Sequence, residues 1–73
     1  MNPQLVEAHI NLGNVYLGQK DYAQAQSEYQ QALTMNPNNV LAHYNLGLVY
    51  TGLGNLDGAM NEYNAAIGVD SKY

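Results

Sequence analysis

Apolar residues recur along this chain at three- and four-residue steps, and the recurrence breaks three times. Leu5, Ala8, Leu12, Val15 and Tyr16 fall on one helical face, and Gly18 follows them. Tyr22, Ala25, Tyr29, Ala32 and Leu33 make a second stripe that stops before Asn36-Pro37, with Asp21 placed to cap its start. Pro37 cannot continue a helix, because its ring removes the backbone N–H, and Asn38 can cap the next one. Val40, Ala42, His43, Leu46, Val49 and Tyr50 form a third stripe, and a Gly-Leu-Gly-Asn turn follows. Leu56, Ala59, Tyr63, Ala66 and Ile67 form the fourth. The pattern predicts an all-α chain with helices near 4–18, 21–35, 38–52 and 56–69.

The second half restates the first. A shift of 34 residues lays Met1-Asn2-Pro3 on Met35-Asn36-Pro37, Ala8-His9 on Ala42-His43, and Asn11-Leu12-Gly13 on Asn45-Leu46-Gly47. It also pairs Val15-Tyr16 with Val49-Tyr50, Gly18 with Gly52, Ala25 with Ala59, Glu28-Tyr29 with Glu62-Tyr63, and Ala32 with Ala66. So many matches at one offset mark a duplication. Each copy is a helix–turn–helix. Gly13 and Ala25, like Gly47 and Ala59, are small where two antiparallel helices must approach. Tyr16, Tyr29, Tyr50 and Tyr63 fill the space beside them.

The period of 34, with Leu-Gly, then Tyr, Ala, an aromatic, Ala and Pro, resembles the tetratricopeptide repeat. The matching residues are Leu12, Gly13, Tyr16, Ala25, Tyr29, Ala32 and Pro37 in the first copy. Leu46, Gly47, Tyr50, Ala59, Tyr63 and Ala66 match in the second. His9 and His43 stand where the family often has Trp, Ser71 replaces the closing proline, and Lys20 stands where Gly54 has its glycine. The resemblance implies a single module over 1–73, with repeats near 4–37 and 38–71. It also implies that first helices line a concave surface and second helices a convex one.

Composition narrows the function more than the fold. Only Lys20 and Lys72 are positive and the net charge is −4, which leaves nothing to displace phosphate counterions, so nucleic acid is excluded as a partner. The same shortage argues against an acidic membrane surface, and no apolar run approaches a membrane span. Without a signal-peptide pattern at its start, the chain is expected to be soluble, with the cytoplasm as its setting. There are no cysteines. No catalytic constellation is visible: His9 and His43 sit at equivalent positions one repeat apart and are read as packing residues. Glu28 and Glu62 are read as exposed helix positions. Neither an enzyme, a metal site nor a cofactor is expected.

In the family the concave side of each first helix meets the ligand. The resemblance places Glu7, Ile10, Asn11, Asn14 and Leu17 there from copy one, and Leu41, Tyr44, Asn45, Leu48 and Thr51 from copy two. Asn11 and Asn45 repeat one amide at one groove position. Their Asn-Leu-Gly-x-x-Tyr setting is similar to the asparagine ladder of O-linked N-acetylglucosamine transferase. Two roles are open to these amides: holding the backbone of an extended peptide, or bonding within the repeat and to water. Asn14 and Asn45 also match the amides of the family's carboxylate clamp, but Ile10 stands where that clamp needs a lysine, so carboxylate capture is rejected. An exposed strip of Ile10, Leu17, Leu41, Tyr44 and Leu48 would instead suit an apolar or neutral partner segment. The alternative is self-association into a homo-oligomer. The opening Met-Asn-Pro reads as the tail of a preceding repeat, no polar closing helix is visible, and Met60, Tyr63 and Ile67 would form an uncapped apolar face.

Overall fold

The computed structural model of the chain describes the backbone over residues 3–70 and side chains over residues 5–68. Four helices follow one another, α1 (Pro3–Gly18), α2 (Tyr22–Met35), α3 (Val40–Leu53) and α4 (Leu56–Asp70). The starts of α2, α3 and α4 are held by side-chain caps, which satisfy N–H groups that the first helical turn leaves unpaired. Asp21 accepts from the Gln24 N–H at 3.4 Å, Asn39 from Ala42 at 2.9 Å and Asn55 from Gly58 at 2.9 Å. The cap of α3 is thus Asn39 rather than the expected Asn38. Asn38 instead donates its N–H to the Asn36 side chain, so the turn after α2 occupies one more residue.

The two intra-repeat turns close identically. Asp21 N–H bonds back to the Tyr16 carbonyl at 2.9 Å, and Asn55 N–H to Tyr50 at 2.8 Å. That closure requires a left-handed residue just before it, and Lys20 (φ 61°) and Gly54 (φ 80°) both adopt this conformation. The Lys/Gly difference between the copies is therefore one of strain, since a side chain disfavours this region.

Helix α1 packs on α2 and α3 on α4, while α2 also packs on α3, and α1 touches α3 lightly. Close approach within each pair depends on Gly13 and Gly47. A Cβ on Gly13 would lie 2.7 Å from the Tyr29 ring, and one on Gly47 2.5 Å from Tyr63. Between the pairs, Gly52 faces Tyr22 in the same way, at 2.4 Å. Val6, Ile10, Ala25, Tyr29, Ala32, Ala42, Leu46 and Val49 form one core cluster, in which Tyr29 and Val49 are the largest fully buried side chains. Each large aliphatic side chain in it contributes about 1.5–3 kcal/mol of burial.

Duplicated residues do not share duplicated environments. Ala42, Leu46 and Val49 are at most 2% exposed, whereas their counterparts Ala8, Leu12 and Val15 are exposed, Leu12 at 42% and Val15 at 54%. Leu5, also expected in the packed stripe, is 49% exposed. The cause is position in the stack: α3 lies against α2, and no described helix covers that side of α1. The core of α1 is formed instead by Val6, Ile10 and Gly13, with Tyr16 and Leu17 half-buried.

Candidate peptide-binding groove

Of the residues expected to line the groove, Glu7, Asn11, Asn14, Leu41, Tyr44 and Thr51 are exposed, and Leu17, Asn45 and Leu48 are half-buried. Ile10 is not on the exposed strip. It is 6% exposed and belongs to the core cluster, because α3 of the second repeat packs over the first. Tyr44, its counterpart, is 48% exposed because no described helix packs over the second repeat. The apolar strip is therefore shorter than expected and is carried chiefly by α3.

Asn14 is the centre of a side-chain network among these residues. Its side-chain oxygen accepts from the Tyr29 hydroxyl, which rises from α2 beneath it, and from the Asn45 amide of α3 at 3.0 Å. Three helices meet at this one oxygen. Burial pushes the Tyr29 phenol up to about 12, and the neutral hydroxyl serves as the donor. The fourth helix has a weaker version of the arrangement, in which the Tyr63 hydroxyl meets Thr51 at 3.2 Å. Leu48 occupies the position equivalent to Asn14, so the amide contact is not repeated.

Asn11 and Asn45 thus differ despite their equivalence. Asn45 uses its N–H₂ on Asn14, whereas Asn11 is exposed and makes no hydrogen bond to any described residue. With its oxygen occupied, Asn14 still has N–H donors, Asn45 keeps its acceptor oxygen, and Asn11 offers both kinds. Together these groups can receive the N–H and C=O of an extended backbone. Leu41 and Tyr44 offer apolar surface beside them.

A second pairing was not visible as chemistry in the sequence. His9 Nδ1 lies 2.8 Å from Glu28 Oε1, and His43 Nδ1 lies 2.8 Å from Glu62 Oε1. Each pair ties the first helix of a repeat to the second. The glutamates are half-buried rather than exposed, since the neighbouring helix and the imidazole cover them. The 19-residue His-to-Glu spacing, present in both copies, was the available signal. His43 Nε2 also lies 2.7 Å from the Pro37 carbonyl. A carbonyl only accepts, so in the tautomer with its proton on Nε2 the ring fastens the turn before α3 to the helix pair. Among the described residues no three His, Asp or Glu side chains gather as metal ligands would, and no helix is long and apolar enough to cross a membrane.

Met60 (61% exposed) and Ile67 (65%) lie on the outer face of α4, whereas Tyr63 is half-buried there. The Tyr63 ring lies against Gly47 and tilts against Tyr44 at 5.7 Å between centroids. Tyr44, Tyr63, Ala66 and Ile67 line an open apolar cleft. In comparison with known proteins, the family model described as "Tetratricopeptide repeat" matches residues 10–72. No curated protein matches the chain.

Proposed function

From the premise that this chain belongs to the tetratricopeptide repeat family, whose repeats generally mediate protein–protein interaction, we propose that it is a peptide-holding module. Its groove takes an apolar or neutral segment of a partner along α1 and α3. The family is generally non-catalytic. The observation that carries the reading is the Asn14–Asn45 contact, which leaves a donor and an acceptor open beside the unpaired Asn11 amide. Lys20 sits on the α1–α2 turn, and among the described groove residues there is no lysine or arginine for an acidic ligand.

The test is selection of peptides from a random library on the immobilised chain, followed by affinity measurement with Asn11→Ala. This substitution removes no side-chain hydrogen bond among the described residues, so lost binding reports a direct contact. Two lost amide bonds at about 0.5–1.5 kcal/mol each correspond to a roughly 5- to 150-fold weakening. Selected peptides should be neutral or apolar. Unchanged affinity in Asn11→Ala, or selection of acidic peptides, refutes the reading.

A second reading, self-association, is favoured by a different observation. The outer faces of α1 and α4 expose Leu5, Leu12, Val15, Leu56, Met60 and Ile67. These surfaces lie at the two ends of the helix stack.

A further inference from the structure

The chain contains one complete interface between repeats, where α2 meets α3. On the α3 side, Ala42, Leu46 and Val49 are buried in one cluster with Tyr29 and Ala32. On the α2 side, Tyr22 and Leu33 pack against that cluster, and Gln26 reaches the Tyr50 hydroxyl at 3.4 Å. The duplication places a copy of each half at an end of the described helix stack, where no described residue covers it.

The α1 end carries Ala8, Leu12 and Val15, the counterparts of Ala42, Leu46 and Val49. The α4 end carries Leu56, Met60 and Ile67, the counterparts of Tyr22, Gln26 and Leu33, and these are 65%, 61% and 65% exposed. The apolar cleft at this end has the same correspondence. Its walls Tyr44, Tyr63, Ala66 and Ile67 match Ile10, Tyr29, Ala32 and Leu33, the surface over which α3 packs within the chain. In the same register Leu12 of a second copy faces the cleft as Leu46 faces its counterpart.

Gly18 supports this register independently. Its counterpart Gly52 is small because the Tyr22 ring occupies the space of its Cβ, whereas Gly18 has nothing within 4 Å of that space. In a second interface the residue brought opposite Gly18 is Leu56. The polar contact between Gln26 and Tyr50 becomes Met60 beside Tyr16, so the external interface is the more apolar of the two. None of the side chains named on the two end faces is charged.

We infer that copies of this chain assemble head to tail, α4 of one seating on α1 of the next in the register that joins α2 to α3. The inference rests on the self-association reading and assigns it a direction and a register. Groove occupancy is independent of it. The contact is heterologous, because the two faces differ, so it propagates into open filaments unless its rotation closes a ring.

Complementation tests the direction. Wild-type chain should sediment as species that grow with concentration, and Leu12→Glu and Ile67→Glu should each be monomeric. An equimolar mixture of the two variants should form a heterodimer and nothing larger, since one intact α1 face then meets one intact α4 face. A wild-type chain that stays monomeric at high concentration overturns self-association itself. If the wild type associates but the mixture does not, or one variant dimerises alone, self-association stands and the head-to-tail assignment falls. Register is tested separately with Gly18→Cys and Leu56→Cys chains, both substituted at exposed positions in a protein without cysteines. A short bismaleimide should join the two variants to each other, while Gly18→Cys with Ser27→Cys should remain unlinked. Equal linkage in both mixtures overturns the register.

Discussion

Adding one methyl group to Gly13 should destabilise the protein, although alanine is the better helix former. In Gly13→Ala the new Cβ lies 2.7, 2.9 and 2.9 Å from three carbons of the Tyr29 ring. Carbon pairs are at rest near about 3.5–4.0 Å, so ring and helix must separate by roughly 0.8 Å. Tyr29 has no space to yield: it is fully buried in the core cluster, and its hydroxyl is held by Asn14. Overpacking of this kind costs about 1–3 kcal/mol, and the propensity gain of about 0.8–1 kcal/mol offsets part of it. Because Tyr29 cannot move aside, the cost falls in the upper part of that range, about 2–3 kcal/mol, and the net expectation is a loss of about 1–2 kcal/mol. Gly47→Ala makes a closer contact, 2.5 Å from the Tyr63 ring, yet should lie within about 0.5 kcal/mol of wild type. Tyr63 is only half-buried and borders the open cleft, so its ring can turn aside. The assay is urea unfolding followed by far-UV circular dichroism, at a chain concentration low enough that association adds no stability. In a domain of this size each kcal/mol also moves the melting temperature by about 4–8 °C. Gly18→Ala, with nothing near its Cβ, is the control for propensity. A Gly13→Ala chain as stable as wild type, or a Gly47→Ala chain that loses more, would refute burial as the deciding factor.

Asn14→Ala should cost about 1–3 kcal/mol, because it leaves the buried Tyr29 hydroxyl without its acceptor. Tyr29→Phe in the same background should recover part of that loss, which a double-mutant cycle by urea unfolding measures. Lys20→Gly should raise stability by about 1 kcal/mol, since it relieves a left-handed backbone at the position that Gly54 fills in the other repeat. An unchanged or lower melting temperature would contradict this. Alkaline pH should also destabilise the chain. The Tyr29 phenol is raised to about 12 in the folded state against 10 when free, so the contribution is intact below pH 10 and is lost as pH rises towards 12. Tyr29 alone accounts for about 1.4 kcal/mol per pH unit within that window. Tyr29→Phe should therefore flatten stability against pH between 10 and 12, and an unaltered slope would exclude this residue as the cause.

The family and four helices were legible from sequence because both depend on local chemistry. Helical spacing, Asp21 and Pro37 at boundaries, and the paired Leu-Gly…Tyr…Ala…Tyr series act over one or two turns, or between helices joined by a short loop. The small residues Gly13 and Gly47 could likewise be assigned to close helix approach. The groove was less legible, because exposure depends on what lies over a residue. Ile10 and Tyr44 hold one repeat position, yet one is core and the other half-open, since α3 covers only the first.

The same distinction separates Leu12 from Leu46 and Asn11 from Asn45. Sequence alone determined which side chains are equivalent, through a duplication that writes the same residues at the same helical positions. Tertiary structure decided which of the equivalents are buried, bonded or open. It also recruited Asn14, which has no amide counterpart in copy two, as the acceptor that joins three helices. The physical reason is that a helix stack has an interior and two ends. A repeated sequence is uniform along its length, but solvent reaches a stack from its ends.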